Sequence, residues 1–65
     1  MTLITKFKTG KVKTLKDVDD VDHDHKYIYV YMCDGSIKRC PTRAVTYYIM
    51  RYDMFGDTLV YPNNE

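Results

Sequence analysis

Tryptophan is absent from this 65-residue chain, and the residues that punctuate or staple a fold are scarce: three glycines, two prolines and two cysteines. Two cysteines fall short of the roughly four to eight that a secreted domain of this size uses as a disulfide framework. Reduced thiols and a cytoplasmic setting are therefore expected. No apolar run reaches the ~18 residues that a membrane-spanning helix needs. Met1 to Lys16 is lysine-rich and lacks an apolar h-region, so no secretory signal is expected. Gly-rich phosphate loops, nucleophile elbows and zinc-hydrolase helices are missing. A chain this short has few residues to spare for the walls of a catalytic cleft. The expectation is a single small domain, residues 1–65, with no enzymatic activity and no cofactor.

Charge is present but sorted. Residues 1–16 hold Lys6, Lys8, Lys11, Lys13 and Lys16 and no acid, whereas residues 17–25 hold Asp17, Asp19, Asp20, Asp22 and Asp24 and no lysine or arginine. The formal net charge of +1 thus hides two local fields of opposite sign.

Strand formers dominate the rest. Leu3–Lys8 and Lys11–Leu15 flank Thr9-Gly10, which reads as a two-residue hairpin loop. That loop pairs Lys8 with Lys11, Phe7 with Val12 and Lys6 with Lys13. Leu3, Thr5, Phe7, Val12 and Thr14 then share a buried face, and the other face is a ladder of four lysines. Asp17–His25 has no apolar periodicity and reads as an exposed loop. Lys26–Cys33 is β-branched and aromatic, the clearest strand in the chain. Asp34-Gly35 turns it into Ser36–Cys40, and a two-residue loop sets Tyr31 against Lys38, Val30 against Arg39 and Tyr29 against Cys40. Cys33 and Cys40 then lie at different levels of the ladder, too far apart to bridge. Residues 42–53 fit either a helix capped by Thr42 or a short turn at Pro41–Ala44 leading into a strand, and the strand formers Val45–Ile49 favour the second. Asp53–Asp57 reads as a turn, Thr58–Tyr61 as a last strand and Pro62–Glu65 as a frayed end. The fold class expected is mainly β, a small antiparallel sheet or barrel of five or six short strands.

Four features carry a resemblance. Gly10-Lys11-Val12 opens a strand, Tyr27–Met32 forms an aromatic strand, Asp34-Gly35 makes a turn, and Pro41 precedes a short turn into Val45. Over Gly10 to Tyr48 this pattern resembles the SH3-like small barrels, Tudor-type modules in particular. The resemblance implies the barrel fold. It does not imply the aromatic cage with which such modules hold methylated side chains, because the tyrosines here lie along one strand and not in two facing loops.

Candidate binding residues follow from these patterns. Tyr27, Tyr29 and Tyr31 share one face of their strand, with Lys38 expected across the ladder, and Ile28, Val30 and Met32 share the other. Rigid rings with hydroxyls suit a protein contact or stacked bases. Lys6, Lys8, Lys11 and Lys13 suit phosphates or an acidic protein, unless they form a solvated edge or are neutralised by the loop that follows. Asp19, Asp20, Asp22 and Asp24 suit a basic groove on a partner. Asp20, Asp22 and Asp24 alternate as in a calcium loop, but positions 25 and 31 hold His25 and Tyr31 where glycine and glutamate belong. His23 and His25 lack a second ligand pair, so no metal is expected. The leading expectation is a protein-binding modulator or inhibitor of a larger macromolecular machine, the kind phages direct at host enzymes such as the transcription apparatus or a nuclease. The alternative is a nucleic-acid-binding small β-barrel. A homodimer built on the aromatic strand is a third reading, and no membrane partner is expected.

Overall fold

The computed structural model describes residues 1–63, so Asn64 and Glu65 of the expected frayed end lie outside the described residues. Seven strands form: β1 (Thr2–Phe7), β2 (Val12–Leu15), β3 (Val18–His23), β4 (Tyr27–Met32), β5 (Ile37–Pro41), β6 (Val45–Tyr52) and β7 (Gly56–Val60), with a 3-10 turn, Thr42–Ala44, before β6. The chain is mainly β, with one strand more than the most expected. Two antiparallel sheets result, one ordered β2-β1-β6-β7 and the other β3-β4-β5. Their inner faces share one apolar core of Leu3, Val18, Ile28, Val30, Val45 and Tyr48. Residues 42–53 contain no α-helix: the turn into a strand is what forms. No helix among the described residues is long and apolar enough to cross a membrane.

Both leading hairpins differ from their expected register by one residue. Leu3 pairs with Leu15, Thr5 with Lys13 and Lys6 with Val12, while Val30 pairs with Lys38, Tyr29 with Arg39 and Tyr31 with Ile37. The loops have three residues. Gly10 N–H donates to Phe7 O at 2.9 Å and Gly35 N–H to Met32 O at 3.0 Å. Each loop is a type I turn closed by a glycine in the left-handed region, with φ +93° at Gly10 and +89° at Gly35. A two-residue type I′ loop needs positive φ at both central residues, and Thr9 and Asp34 do not supply it.

Asp17–His25 is also not a loop, because most of it is β3. Val18 and Val21 are three apart, a spacing that no regular strand places on one face. A bulge between Val18 and Asp20 absorbs the extra residue, so Val18 faces Met32, Val21 faces Val30 and His23 faces Ile28. Asp17, with φ +59°, turns the corner between β2 and β3, a backbone region that Asp tolerates better than most residues. The far end is anchored as well. Pro62 is buried, and Asn63 Nδ2 donates to Thr42 O at 2.9 Å and Val45 O at 2.7 Å. The expected fraying therefore does not extend to these two residues.

Candidate docking face and its surroundings

Strand alternation sends Ile28 and Val30 into the core, where they are 1% and 4% exposed. Tyr27, Tyr29 and Tyr31 line the opposite face and are half-buried. The rings shield one another: Tyr27 and Tyr29 lie 6.1 Å apart between centroids. Arg39 lies 4.5 Å over the Tyr27 ring, a cation–π contact. The register gives each tyrosine defined neighbours. Asp22, Tyr29 and Arg39 form one cross-strand row, and Asp20, Tyr31 and Ile37 form the next. This outer face thus runs from carboxylates through phenols to a guanidinium and an aliphatic side chain, with Ile37 62% exposed.

Lys38 is not on this face. It pairs with Val30 and Cys40 pairs with Ile28, which turns both toward the inner side. The four-lysine ladder is likewise broken. Lys13 shares its register position with buried Thr5, on the inner side, whereas Lys6 and Val12 project outward. Lys8 lies in the hairpin loop and Lys11 closes it. Of the face expected to be buried, Val12 and Thr14 are exposed, and Leu15 packs against the core in their place. Lys13 and Lys38 meet at a narrow slot between the sheets, about 50 Å³, together with Arg39, Cys40, Leu15 and Phe7. Burial pushes the Cys40 thiol above its usual range, with nearby Lys13 opposing. Cys33 and Cys40 are both free.

The aspartates do not neutralise the lysines. Among the described residues the ion pair present is Arg51–Asp57, bidentate at 2.9 and 3.0 Å. Instead, Asp20 Oδ1 accepts the Val21 amide and Asp22 Oδ1 accepts the His23 amide, each at 2.8 Å. Alternate amides of edge strand β3 are thereby satisfied by the strand's own side chains. Asp19 is exposed at the bulge. Asp24 accepts the amides of Lys26 and Tyr27 at 2.8 Å, which hold its carboxyl below the usual range, helped by His25 and Lys26.

The histidines diverge. His23 Nδ1 lies 2.8 Å from the Tyr48 hydroxyl, the rings meet edge to face at 5.9 Å, and burial raises the Tyr48 phenol. His25 is exposed. Among the described residues no three of His, Cys, Asp and Glu gather into a metal-binding group.

One surface escaped the sequence reading. On the outer side of the four-stranded sheet, Ile4 pairs with Ile49 and Ile49 with Leu59. Val12, Leu59 and Tyr61 are 54%, 51% and 50% exposed there or at its margin, and Tyr47 and Tyr61 stack edge to face at 5.9 Å. The alternation of Ile4 with Lys6 was a signal for it, hidden while residues 42–53 had two candidate structures.

No protein-family model, curated protein or solved structure matches this chain.

Proposed function

We propose that the chain is a small non-catalytic binding module that docks on a larger protein or protein complex through the outer face of β3-β4-β5. The observation that carries this reading is the juxtaposition of Asp20 and Asp22 with Tyr29, Tyr31, Ile37 and Arg39 on one uncovered sheet face. Tyrosine and arginine are enriched where binding energy concentrates, because each offers large contact area and a polar end. The flanking carboxylates favour a partner patch that is basic at one side and apolar at the centre. They repel a phosphate backbone, which ranks nucleic-acid binding second. The class this fits is modulators and inhibitors of larger assemblies, such as those phages direct at host transcription or nuclease complexes.

The test is affinity capture from the native host with the parent chain and with Asp22→Lys and Tyr29→Ala, using Lys6→Ala on the other sheet as a control. The expected result is a protein partner retained by the parent and by Lys6→Ala and lost from both face variants, with their circular dichroism unchanged. Equal capture by all four chains overturns the reading. A captured nucleic acid with a steep log–log salt slope supports the second reading instead.

A further inference from the structure

Beside the docking face, at the end where β4 begins, His25, Lys26, Tyr27, Pro41 and Arg43 line a cleft of about 260 Å³. Its rim is built from hydrogen-bonded turns. The Asp24 carboxylate accepts the Lys26 and Tyr27 amides at 2.8 Å. Fully buried Thr42 donates from Oγ1 to Asp24 O at 2.9 Å and from its amide to Lys26 O at 3.0 Å. The β3–β4 turn and the 3-10 turn are thus tied into one unit, which holds the backbone from which the lining side chains project.

The lining is cationic. Lys26 and Arg43 bring two permanent charges and His25 an imidazole, while Arg39, outside the lining, stacks on the Tyr27 ring. Among the described residues none of these cations is in an ion pair. No acid among the described residues lines the cleft, and Asp24, next in the chain, has its carboxylate turned to backbone amides. Converging basic side chains suit a phosphate, which takes charge-assisted hydrogen bonds from several donors at once. Tyr27 and Pro41 add ring surface for a flat group beside it.

Size and surroundings narrow the ligand. The cleft is smaller than the ~300–1,000 Å³ of sites for drug-sized molecules. A long polyanion running from it across the adjoining β3-β4-β5 face would meet Asp20 and Asp22. The geometry points to a binding site for a small aromatic phosphate monoester, its phosphate on Lys26 and Arg43 and its ring against Tyr27 and Pro41. This inference does not rest on the docking face, since Lys26 and Arg43 are not among the residues that define that face.

Titrating the ¹⁵N-labelled chain with phenyl phosphate, adenosine 5′-monophosphate and inorganic phosphate at constant ionic strength tests it. The two esters are expected to shift the His25, Lys26, Tyr27 and Arg43 amides saturably, and inorganic phosphate is expected to bind the same residues more weakly. Tighter binding of the nucleotide identifies a nucleobase as the natural ring, and tighter binding of phenyl phosphate a phenol. Lys26→Gln and Arg43→Gln, both exposed, are expected to weaken ester binding about tenfold or more each, the cost of one charge-assisted contact. Lys11→Gln is expected to leave it unchanged. Absence of saturable shifts below about 10 mM ligand, shifts spread along residues 6–16, or equal binding by the Lys26 and Arg43 variants overturns the proposal.

Discussion

Gly35 closes the three-residue loop that accompanies the β4–β5 register, and replacing it measures what its positive φ contributes to stability. Its φ of +89° lies where a Cβ is strained, and a Cβ built there meets nothing within 4 Å. The cost of Gly35→Ala is therefore conformational and not steric. Placing an L-residue in the left-handed region costs about 1–2 kcal/mol. The stiffer unfolded chain returns about 0.4–1 kcal/mol. The net expectation is a loss of up to about 1.6 kcal/mol, centred on ~0.8 kcal/mol, or a fall in Tm of up to roughly 13 °C for a domain of this length. The mirror-image residue separates the two contributions. D-Alanine at position 35, accessible by chemical synthesis, favours positive φ and keeps the entropic benefit, so it is expected to stabilise by about 0.4–1 kcal/mol. Urea and thermal unfolding followed by circular dichroism measure both variants, with the urea slope unchanged because the fold and the surface it buries are the same. Gly35→Ala more stable than the parent would refute the reasoning, as would a D-alanine variant less stable than the L-alanine one.

Thr42→Val keeps shape but removes the Oγ1 donor to the Asp24 carbonyl; a loss of about 1–3 kcal/mol in urea unfolding is expected, and a loss under ~0.5 kcal/mol would show that the carbonyl finds water. Asp24, Asp34 and Asp57 have carboxyls held below the ordinary aspartate value of about 3.8 by backbone amides, Ser36 and Arg51 respectively. Each therefore stabilises the fold above that value, and the contribution is lost as pH falls from about 3.8 through the lower folded-state values. A urea midpoint that did not fall over that acid range would contradict the assignment. Lys13→Val with Lys38→Val removes the charges that edge strands β2 and β5 turn toward the slot; sedimentation is expected to show concentration-dependent association beyond the parent's, and an unchanged profile would assign these lysines no such guarding role.

The alternation of β4 was legible because Ile28 and Val30 sit between tyrosines at strict period two, and the core lies where that pattern points. The turn into β6 was legible from Val45–Ile49, a run that a helix would have to hold against its propensity. Register was not legible. Asp34-Gly35 is a strong hairpin signal, yet the dipeptide does not reveal whether one or two residues adopt positive φ. That single choice moved Lys38 from the tyrosine face to the slot and put Arg39 in its place. β3 escaped for a related reason: the Asp19 bulge rephases the strand after Val18, and periodicity sought over an unbroken window reads the stretch as patternless. The cleft beside Tyr27 was missed because it forms just beyond the last β4–β5 ladder pair, Tyr27 with Pro41, where the Thr42 amide holds Lys26 O and the return strand read from the sequence has ended at Pro41.

The edges and faces of the sheets now divide the available modes of recognition. β3 satisfies alternate amides with its own Asp20 and Asp22, and β2 and β5 each turn a lysine inward, a recognised way of discouraging strand addition. β7, the remaining edge, has Asp57 engaged by Arg51 and carries exposed Leu59. Three of the four edges are thus guarded, while both outer sheet faces expose rings or aliphatic groups. A partner meeting this chain is accordingly expected to read side chains on a face, with β7 the edge left open to strand addition. That is why substitution of Tyr29 or Asp22, which leaves every ladder hydrogen bond available, is the perturbation that separates recognition from folding.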